Sequence, residues 1–382
     1  MTFPTLTELA ARGTEKWRAY SPDVLPMFVA ESDFATCPEV KQAIADAVER
    51  EMFGYAYPDE RLGQAVSEFY AQRYGWRPNP EWIRAVPDVV RGVCLSISHL
   101  TREDSAVIVP VPSYMPFFQI PGVTGRDIVH VPVEDLTGDL RETEAALKAG
   151  AGSIILVNPY NPLGLVFEQE TLQQICDLAR DYDARVIVDE IHAPLVLNPQ
   201  CRHHVAAAVA PDVCITITAS SKAWNVAGLK CAQIIFSNDN DVVTWDALPS
   251  VTRGGVSILG QEAAIACYSA SQSFIQDQAA YLWETVNWLR EELPARIPGI
   301  RIAGACDATY LMWLDFNGTS IAKVTNRPAE YLLEHAKVAL NEGAAFSPED
   351  QCLGDHHARL NFACSRDILA AAIDRIAAAL PQ

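Results

Sequence analysis

The chain has 382 residues, with 29 lysine and arginine residues against 48 aspartate and glutamate residues, and a formal net charge of −19. This acidity argues against a nucleic-acid-binding protein and against one that binds an anionic membrane surface, since both need clustered positive charge. About half of the residues are apolar, and a chain of this length is expected to form a large domain with a smaller partner.

The cysteines and the N-terminal sequence bear on the cellular compartment. Ten cysteines are scattered singly, without a C-x-x-C pair, so we expect neither a disulfide framework nor a metal site. The first residues lack the apolar segment of a signal peptide, and no uncharged apolar run approaches the ~18 residues of a membrane helix. We therefore expect a reduced, soluble protein of the cytoplasm.

Helical periodicity alternates with short β-rich runs along the chain. Apolar residues three and four positions apart predict helices over residues 39–51, 63–74, 170–182, 261–293 and 368–380. Runs that are apolar on both faces predict buried, parallel-type strands over residues 106–110, 127–132, 153–158, 185–189, 212–219 and 232–237. This alternation predicts an α/β fold with a mostly parallel central sheet.

The later part of the chain predicts a second, smaller α/β lobe. Strand patterns over residues 300–303 and 310–316 precede a helical pattern over 328–341. We divide the chain into an N-terminal segment, residues 1–45, that packs with the small domain, a large domain over 46–280, and a small C-terminal domain over 281–382.

Polar residues follow three of the predicted strands. Asn161 lies in a turn fixed by two prolines and a glycine, Asp189 closes an apolar strand, and Lys222 follows two serines directly after another strand. Ligands of open α/β sheets bind at the carboxyl ends of the strands. Each turn alone would be read as a helix cap or loop start, but three in succession indicate a binding site.

Lys222 is the most informative of these residues. The chain has seven lysines against 22 arginines, and most of the lysines lie in helical patterns. A lysine amine in a sheltered, electropositive site can lose its proton and attack a carbonyl carbon. The adjacent serines are suited to hydrogen-bond a phosphate.

These motifs resemble those of the class I and II aminotransferase superfamily, fold type I of the pyridoxal 5′-phosphate (PLP) enzymes. The matching stretches are Asn158-Pro-Tyr-Asn-Pro-Leu-Gly164, Asp189-Glu-Ile-His192, Ser220-Ser-Lys-Ala-Trp-Asn225 and Arg359-Leu-Asn-Phe362. The resemblance implies an aspartate aminotransferase-like fold, with a large PLP-binding domain and a smaller C-terminal α/β domain. Within the superfamily, the stretches over residues 25–34, 53–57 and 112–117 most resemble the cystathionine β-lyase subgroup.

The resemblance assigns roles around the PLP ring. Lys222 is the lysine that forms the Schiff base, and Asp189 pairs with the pyridinium nitrogen. Asn161 and His192 face the phenolic oxygen, although many aminotransferases carry tyrosine in place of His192. Tyr114 stacks on the ring; for a lone tyrosine, an ordinary core position is the alternative.

A second set of residues is implied for the phosphate. The backbone N–H groups of Val89 and Val90, at the start of a predicted helix, suit an anion without any particular side chain. Ser221 is the best side-chain donor. Relatives often carry a hydroxyl three residues before the lysine, where this chain has Ala219, and Ser220 or Thr218 is the alternative donor. Lys230 stands where relatives often have an arginine and would act as a point charge.

The substrate and the subunit interface complete the implied site. Arg359 clamps the substrate α-carboxylate, with Tyr114 and Asn161 beside it. Tyr55 reaches the neighbouring subunit's active site, which implies a homodimer; Tyr57 is the alternative.

The implied activity is that of a PLP-dependent C–S β-lyase. Such an enzyme cleaves cystathionine or a related cysteine S-conjugate by α,β-elimination to a thiol, pyruvate and ammonia. Lys222 is the expected general base, and Tyr55 and Tyr114 are the other expected catalytic residues. The alternatives are a PLP-dependent aminotransferase, which shares these residues, and a regulatory protein-binding relative with secondary lyase activity. The group that protonates the sulfur stays open, and a side-chain pocket is expected near residues 31–34, Met115 and Tyr310.

Overall fold

The computed structural model of the chain describes residues 2–270, 272–348 and 351–381. Three sheets organise this part of the chain: a central sheet of seven strands, a second sheet of four and a two-stranded pair. The α-helices are Leu6–Ala11, Glu15–Arg18, Pro38–Glu49, Glu60–Tyr74, Val89–Leu100, Ile120–Thr124, Val133–Leu136, Arg141–Lys148, Gln169–Asp181, Ala206–Val209, Asp239–Ala247, Ser250–Arg253, Ile258–Ser269, Gln272–Arg296, Pro328–His335 and Arg366–Ala378. In the described ranges, none of these helices has the length and apolar character needed to cross a membrane.

The central sheet is mixed but mostly parallel. In spatial order its strands are Ile83–Val86, Ala232–Ile235, Cys214–Ala219, Arg185–Asp189, Ser153–Val157, Val107–Val111 and Ile128–Pro132. The last five run parallel to one another. Apart from the edge strand Ile128–Pro132, which is only partly buried, these strands are almost wholly buried; Ile154, Ile187 and Ile215, for example, have no exposed surface. This burial explains why these strands are apolar on both faces and confirms the predicted α/β class.

One strand direction was predicted wrongly and one strand was not predicted. Ala232–Ile235 runs antiparallel to both of its neighbours, including the unpredicted strand Ile83–Val86. A strand in the middle of a covered sheet is buried on both faces whatever its direction, so the apolar pattern could not reveal the reversal. Ile83–Val86 is antiparallel to Ala232–Ile235, which is itself antiparallel to Cys214–Ala219. Ile83–Val86 therefore has the same direction as the parallel strands and ends at the same edge of the sheet.

The four-stranded sheet is antiparallel. Its order is Asn341–Glu342, His357–Asn361, Leu311–Asp315 and Arg301–Ile302. The strand Leu25–Pro26 pairs in parallel with Val338–Ala339, which joins the N-terminal segment to the C-terminal part of the chain. The domain limits given above stay a prediction; the boundary at residue 280 falls within the helix Gln272–Arg296.

Two predicted helices differ from the structure. The pattern over 261–293 forms two helices, Ile258–Ser269 and Gln272–Arg296, because Ala270 has an extended backbone; residue 271 lies outside the described residues. The predicted helix over 328–341 ends at His335, and Lys337 adopts a left-handed conformation with φ 55° before the strands that follow. No proline or glycine marks either break. The apolar periodicity continues across both positions and therefore did not reveal that the helices end there.

Candidate active site

A cavity of about 380 Å³ opens at the carboxyl edge of the central sheet. The parallel strands Ser153–Val157, Arg185–Asp189 and Cys214–Ala219 are adjacent there, with Val157 paired to Asp189 and Asp189 to Ile217. Asp189 is the last residue of its strand, and Asn161 and Lys222 lie in the turns that follow theirs. Nine of the predicted site residues line the cavity: Val89, Val90, Tyr114, Asn161, Asp189, His192, Ser221, Lys222 and Lys230.

Lys222 is partly buried in the cavity wall. Its Nζ donates a hydrogen bond to the carbonyl oxygen of Ala30 at 3.0 Å. Burial, with the nearby Arg359, lowers the pKa of Lys222 to about 8, although the Glu31 and Asp189 carboxylates act in the opposite direction. About a tenth of the Lys222 amines are therefore uncharged at pH 7, far more than for an ordinary lysine, and able to act as a nucleophile or base.

Asp189 is buried at the end of its strand, and no cationic side chain of the described residues forms an ion pair with it. Its Oδ1 accepts a hydrogen bond from the backbone N–H of Ile191 at 3.0 Å. Burial raises the pKa of this carboxyl to about 7, against the lowering influence of Ile191 and Lys222. Such a carboxylate would be stabilised by any cation that enters the cavity beside it.

His192 is a buried, neutral imidazole. Burial, reinforced by Lys222 and Arg359, lowers its pKa to about 3. Its Nδ1 has no hydrogen-bond partner within the part of the chain that the structure describes. A buried ring nitrogen without a partner is unusual in a folded protein, and its place in the cavity wall suits a ligand that completes it.

Arg359 is held behind the cavity by three acceptors. One Nη donates to Asn161 Oδ1 at 3.1 Å, and the other donates to the carbonyl oxygen of Phe28 at 3.1 Å and to Asn341 Oδ1 at 2.5 Å. Its guanidinium lies 4.9 Å from the centre of the Phe346 ring. Burial lowers the pKa of Arg359 to about 10, so the side chain stays cationic at neutral pH.

The helix Val89–Leu100 begins at the cavity with its N-terminus facing inward, as predicted. Asp88 caps this helix by accepting from the backbone N–H of Arg91 at 2.8 Å. Its other carboxylate oxygen accepts from Lys230 Nζ at 3.1 Å. Lys230 therefore lies at the predicted phosphate end of the cavity, but its charge is shared with Asp88.

Tyr114 lines the cavity and is mostly buried. Its ring stands at 90° to the ring of Phe117, with the centres 5.7 Å apart. Burial raises the pKa of its hydroxyl, so Tyr114 is neutral at physiological pH.

Tyr55 lies away from the cavity. Its side chain is fully exposed, with a relative exposure of 102%, and Tyr57 is 85% exposed. Both line a separate surface depression with Arg61 and Glu262. Neither tyrosine is among the residues that line the cavity.

The N-terminal segment contributes a part of the site that the sequence did not reveal. Residues 28–32, called the strap below, border the cavity at Ala30, and every carbonyl of the strap accepts a hydrogen bond from a side chain elsewhere in the chain. The donors are Arg359 to Phe28, Asn361 to Val29, Lys222 and Tyr310 to Ala30, Lys16 and Asn361 to Glu31, and Asn225 and Arg12 to Ser32.

Asn341 is a further site residue that sequence reasoning missed. It pairs in register with Arg359 on the neighbouring strand, which places its amide oxygen against the guanidinium. The predicted helix over 328–341 hid this pairing. The contacts made by the strap were missed as well, because they use backbone carbonyls and the residue type does not indicate which carbonyl is used.

Comparison with known proteins relates this site to a family. A sequence model described as aminotransferase class I and II matches residues 22–376. A cystathionine beta-lyase of Corynebacterium glutamicum is 50% identical over 383 residues, covering 100% of both chains. The cystathionine beta-lyase PatB of Bacillus subtilis is 31% identical, with 94% of this chain and 93% of PatB covered.

The fold has a close counterpart among solved structures. A crystal structure described as a candidate PLP-dependent beta-cystathionase from Corynebacterium diphtheriae is 52% identical, with a TM-score of 0.94 over 99% of this chain and 98% of that one. This likeness confirms the expected fold type I architecture. Since the family model spans nearly the whole sequence, the chain belongs to the class I and II aminotransferase family.

Proposed function

We propose that the chain is a PLP-dependent C–S β-lyase that cleaves cystathionine or a related cysteine S-conjugate to a thiol, pyruvate and ammonia. The observation that carries this proposal is the full-length similarity to the cystathionine beta-lyase of Corynebacterium glutamicum. The cavity wall supplies an amine of lowered pKa and a buried carboxylate, and a buried arginine lies behind it, hydrogen-bonded to the lining residue Asn161.

The cavity residues fit PLP. The N-terminus of the helix Val89–Leu100, Ser221 and Lys230 would hold the phosphate, since backbone N–H groups and the helix dipole favour an anion. Asp189 would face the protonated ring nitrogen, which would supply the cation that this buried carboxylate lacks. The unpartnered His192 Nδ1 and the amide of Asn161 would lie toward the ring's oxygen substituent.

Bound PLP supplies an electron sink for the charge that develops at the substrate Cα. The chain's own residues bind the substrate and move its proton. Arg359 would hold the α-carboxylate with its fork of N–H groups, a geometry that a lysine cannot reproduce. Lys222, with a pKa of about 8, would hold the cofactor and accept the Cα proton as general base. Elimination is then completed by loss of the thiolate from Cβ, a step that transamination does not include.

The proposed active unit is a homodimer. Tyr55 and Tyr57 are exposed in the single chain although they stand in the segment that resembles an intersubunit contact. A two-fold interface would bury them and place Tyr55 in the partner's cavity. We also propose a reducing, cytoplasmic location, because all ten cysteines are free thiols.

The lyase proposal is tested with purified enzyme, PLP and cystathionine in the absence of any keto acid. We expect pyruvate and a thiol in equal amounts. We expect Lys222→Ala to lose the cofactor's Schiff-base absorbance and at least a thousandfold in rate, while Lys148→Ala, on an exposed helix face, retains both. Amino transfer that depends on a keto acid, without pyruvate release, would instead identify an aminotransferase. Absorbance and activity that survive Lys222→Ala would exclude a PLP enzyme built on this lysine.

A further inference from the structure

Arg359 is held beside the cavity by acceptors that carry no charge. Its Nη atoms donate to the side-chain oxygens of Asn161 and Asn341 and to the backbone carbonyl of Phe28. Buried arginines are usually paired with an acid, and Arg359 is only 2% exposed. In the described ranges, however, no carboxylate forms an ion pair with this guanidinium. The arrangement therefore fixes the orientation of the side chain and leaves its positive charge without a counter-charge.

Asn341 is the acceptor whose position depends on one strand pairing. It lies directly opposite Arg359 in the antiparallel register of Asn341–Glu342 with His357–Asn361. Side chains of directly opposed residues leave a sheet on the same face, and here the Asn341 Oδ1 atom lies 2.5 Å from an Nη atom of Arg359. The register thus aims the amide oxygen at the guanidinium.

The backbone that carries Asn341 is closely packed. The turn Gly343–Phe346 follows the strand, and a Cβ atom on its first residue would lie 2.3 Å from the carbonyl oxygen of Gly354. Its last residue, Phe346, places its ring centre 4.9 Å from the guanidinium carbon of Arg359. One short segment therefore contacts the guanidinium twice, from a backbone with little room to move.

We propose that Asn341 is a positioning residue for substrate binding: its neutral amide fixes the Arg359 guanidinium and leaves the charge of that group to the substrate α-carboxylate. The inference rests on the proposed function, in which Arg359 takes the carboxylate. Aspartate has the shape of asparagine, but its charge would form a buried ion pair with the guanidinium. The substrate carboxylate would then compete with a resident carboxylate for the same N–H groups. Leucine, of similar size, would leave one Nη atom without this acceptor.

Two probes that differ only in the carboxylate test this role. L-Alanine and L-alaninamide both lack a leaving group at Cβ, and the second has an amide in place of the carboxylate. Their dissociation constants are measured on the PLP-loaded enzyme from the change in the cofactor's absorbance, which needs no turnover. We expect Asn341→Asp to weaken L-alanine about tenfold or more and Asn341→Leu about three- to tenfold, the ranges of a charge-assisted and a neutral hydrogen bond. Binding of L-alaninamide should stay within twofold of the wild type in both variants.

Asn287→Asp is the matched control. Asn287 Oδ1 also accepts from an arginine, Arg290, at 3.2 Å, but it lies on an exposed face of the helix Gln272–Arg296. This control should change the binding of neither probe by more than twofold. In both Asn341 variants, KM for cystathionine should rise while kcat for pyruvate release stays within threefold of the wild type.

The outcomes separate positioning of Arg359 from support of the fold. Loss of PLP from both Asn341 variants, or equal weakening of the two probes, would show that Asn341 supports the structure in general and would overturn the proposal. Unchanged binding of L-alanine in Asn341→Asp would overturn it as well. Absence of pyruvate with the wild-type enzyme would instead refute the lyase function, and the comparison of the two probes would still decide the role of Asn341.

Discussion

Replacement of Arg359 by lysine tests how the site holds its substrate. The two Nη atoms of Arg359 serve three acceptors, Asn161, Phe28 and Asn341, at 2.5–3.1 Å. A lysine retains the charge but has a single nitrogen on a shorter chain, so it cannot hold a carboxylate with two parallel hydrogen bonds. The loss of one charge-assisted bond costs about 1.5–3 kcal/mol. We therefore expect Arg359→Lys to lower kcat/KM about 100-fold, mainly through KM.

The assay is pyruvate release from cystathionine, with the cofactor's absorbance as the check that PLP remains bound. Arg301→Lys is the matched control: Arg301 lies on the same sheet, is exposed and pairs with Asp315. The control should stay within twofold of the wild type. A KM for Arg359→Lys within threefold of the wild-type value, in a variant that binds PLP normally, would show that Arg359 does not clamp the substrate carboxylate.

Two further predictions concern Asp189 and Tyr55. Because burial raises the pKa of Asp189 from 3.8 to about 7, the cofactor-free protein should lose about 2 kcal/mol of stability as the pH rises from about 5.5 to 7, and Asp189→Asn should remove this loss. Urea denaturation of the cofactor-free proteins measures it, and a wild-type stability that does not fall over this interval would contradict the argument. Tyr55→Phe should change the unfolding free energy by less than about 0.5 kcal/mol, because the side chain is fully exposed. Its kcat/KM should nevertheless fall about tenfold, less than the roughly 100-fold that a 1 Å misplacement in an active site can cost, because only the hydroxyl is removed. Tyr57→Phe is the control, and unchanged kinetics of a dimeric Tyr55→Phe enzyme would remove Tyr55 from the active site.

Much of the cavity could be predicted from local sequence. Asn161, Asp189 and Lys222 each follow a buried strand, and three adjacent parallel strands must end at the same edge of a sheet. Val89 and Val90 were implied by the resemblance, and the structure has the helix that they were expected to begin. The roles of these residues toward PLP rest on the resemblance and stay a prediction.

Other features could not be predicted, because they join distant parts of the chain. Lys222 contacts Ala30 across 192 positions, and Arg359 contacts Phe28 across 331. Such contacts use backbone carbonyls, which every residue carries. The register that sets Asn341 against Arg359 likewise depends on how two strands pair.

The sequence by itself therefore determined the fold class and the three strand ends that carry Asn161, Asp189 and Lys222, and the resemblance added the other side chains expected in the cavity. Periodicity and turn residues record burial and backbone conformation, and both are local properties. The tertiary structure alone decided the reversed strand Ala232–Ile235, the break after Ser269, the strap over Lys222 and the exposure of Tyr55. These depend on which surfaces meet once the chain has folded, and residues close in space but distant in sequence leave no local pattern.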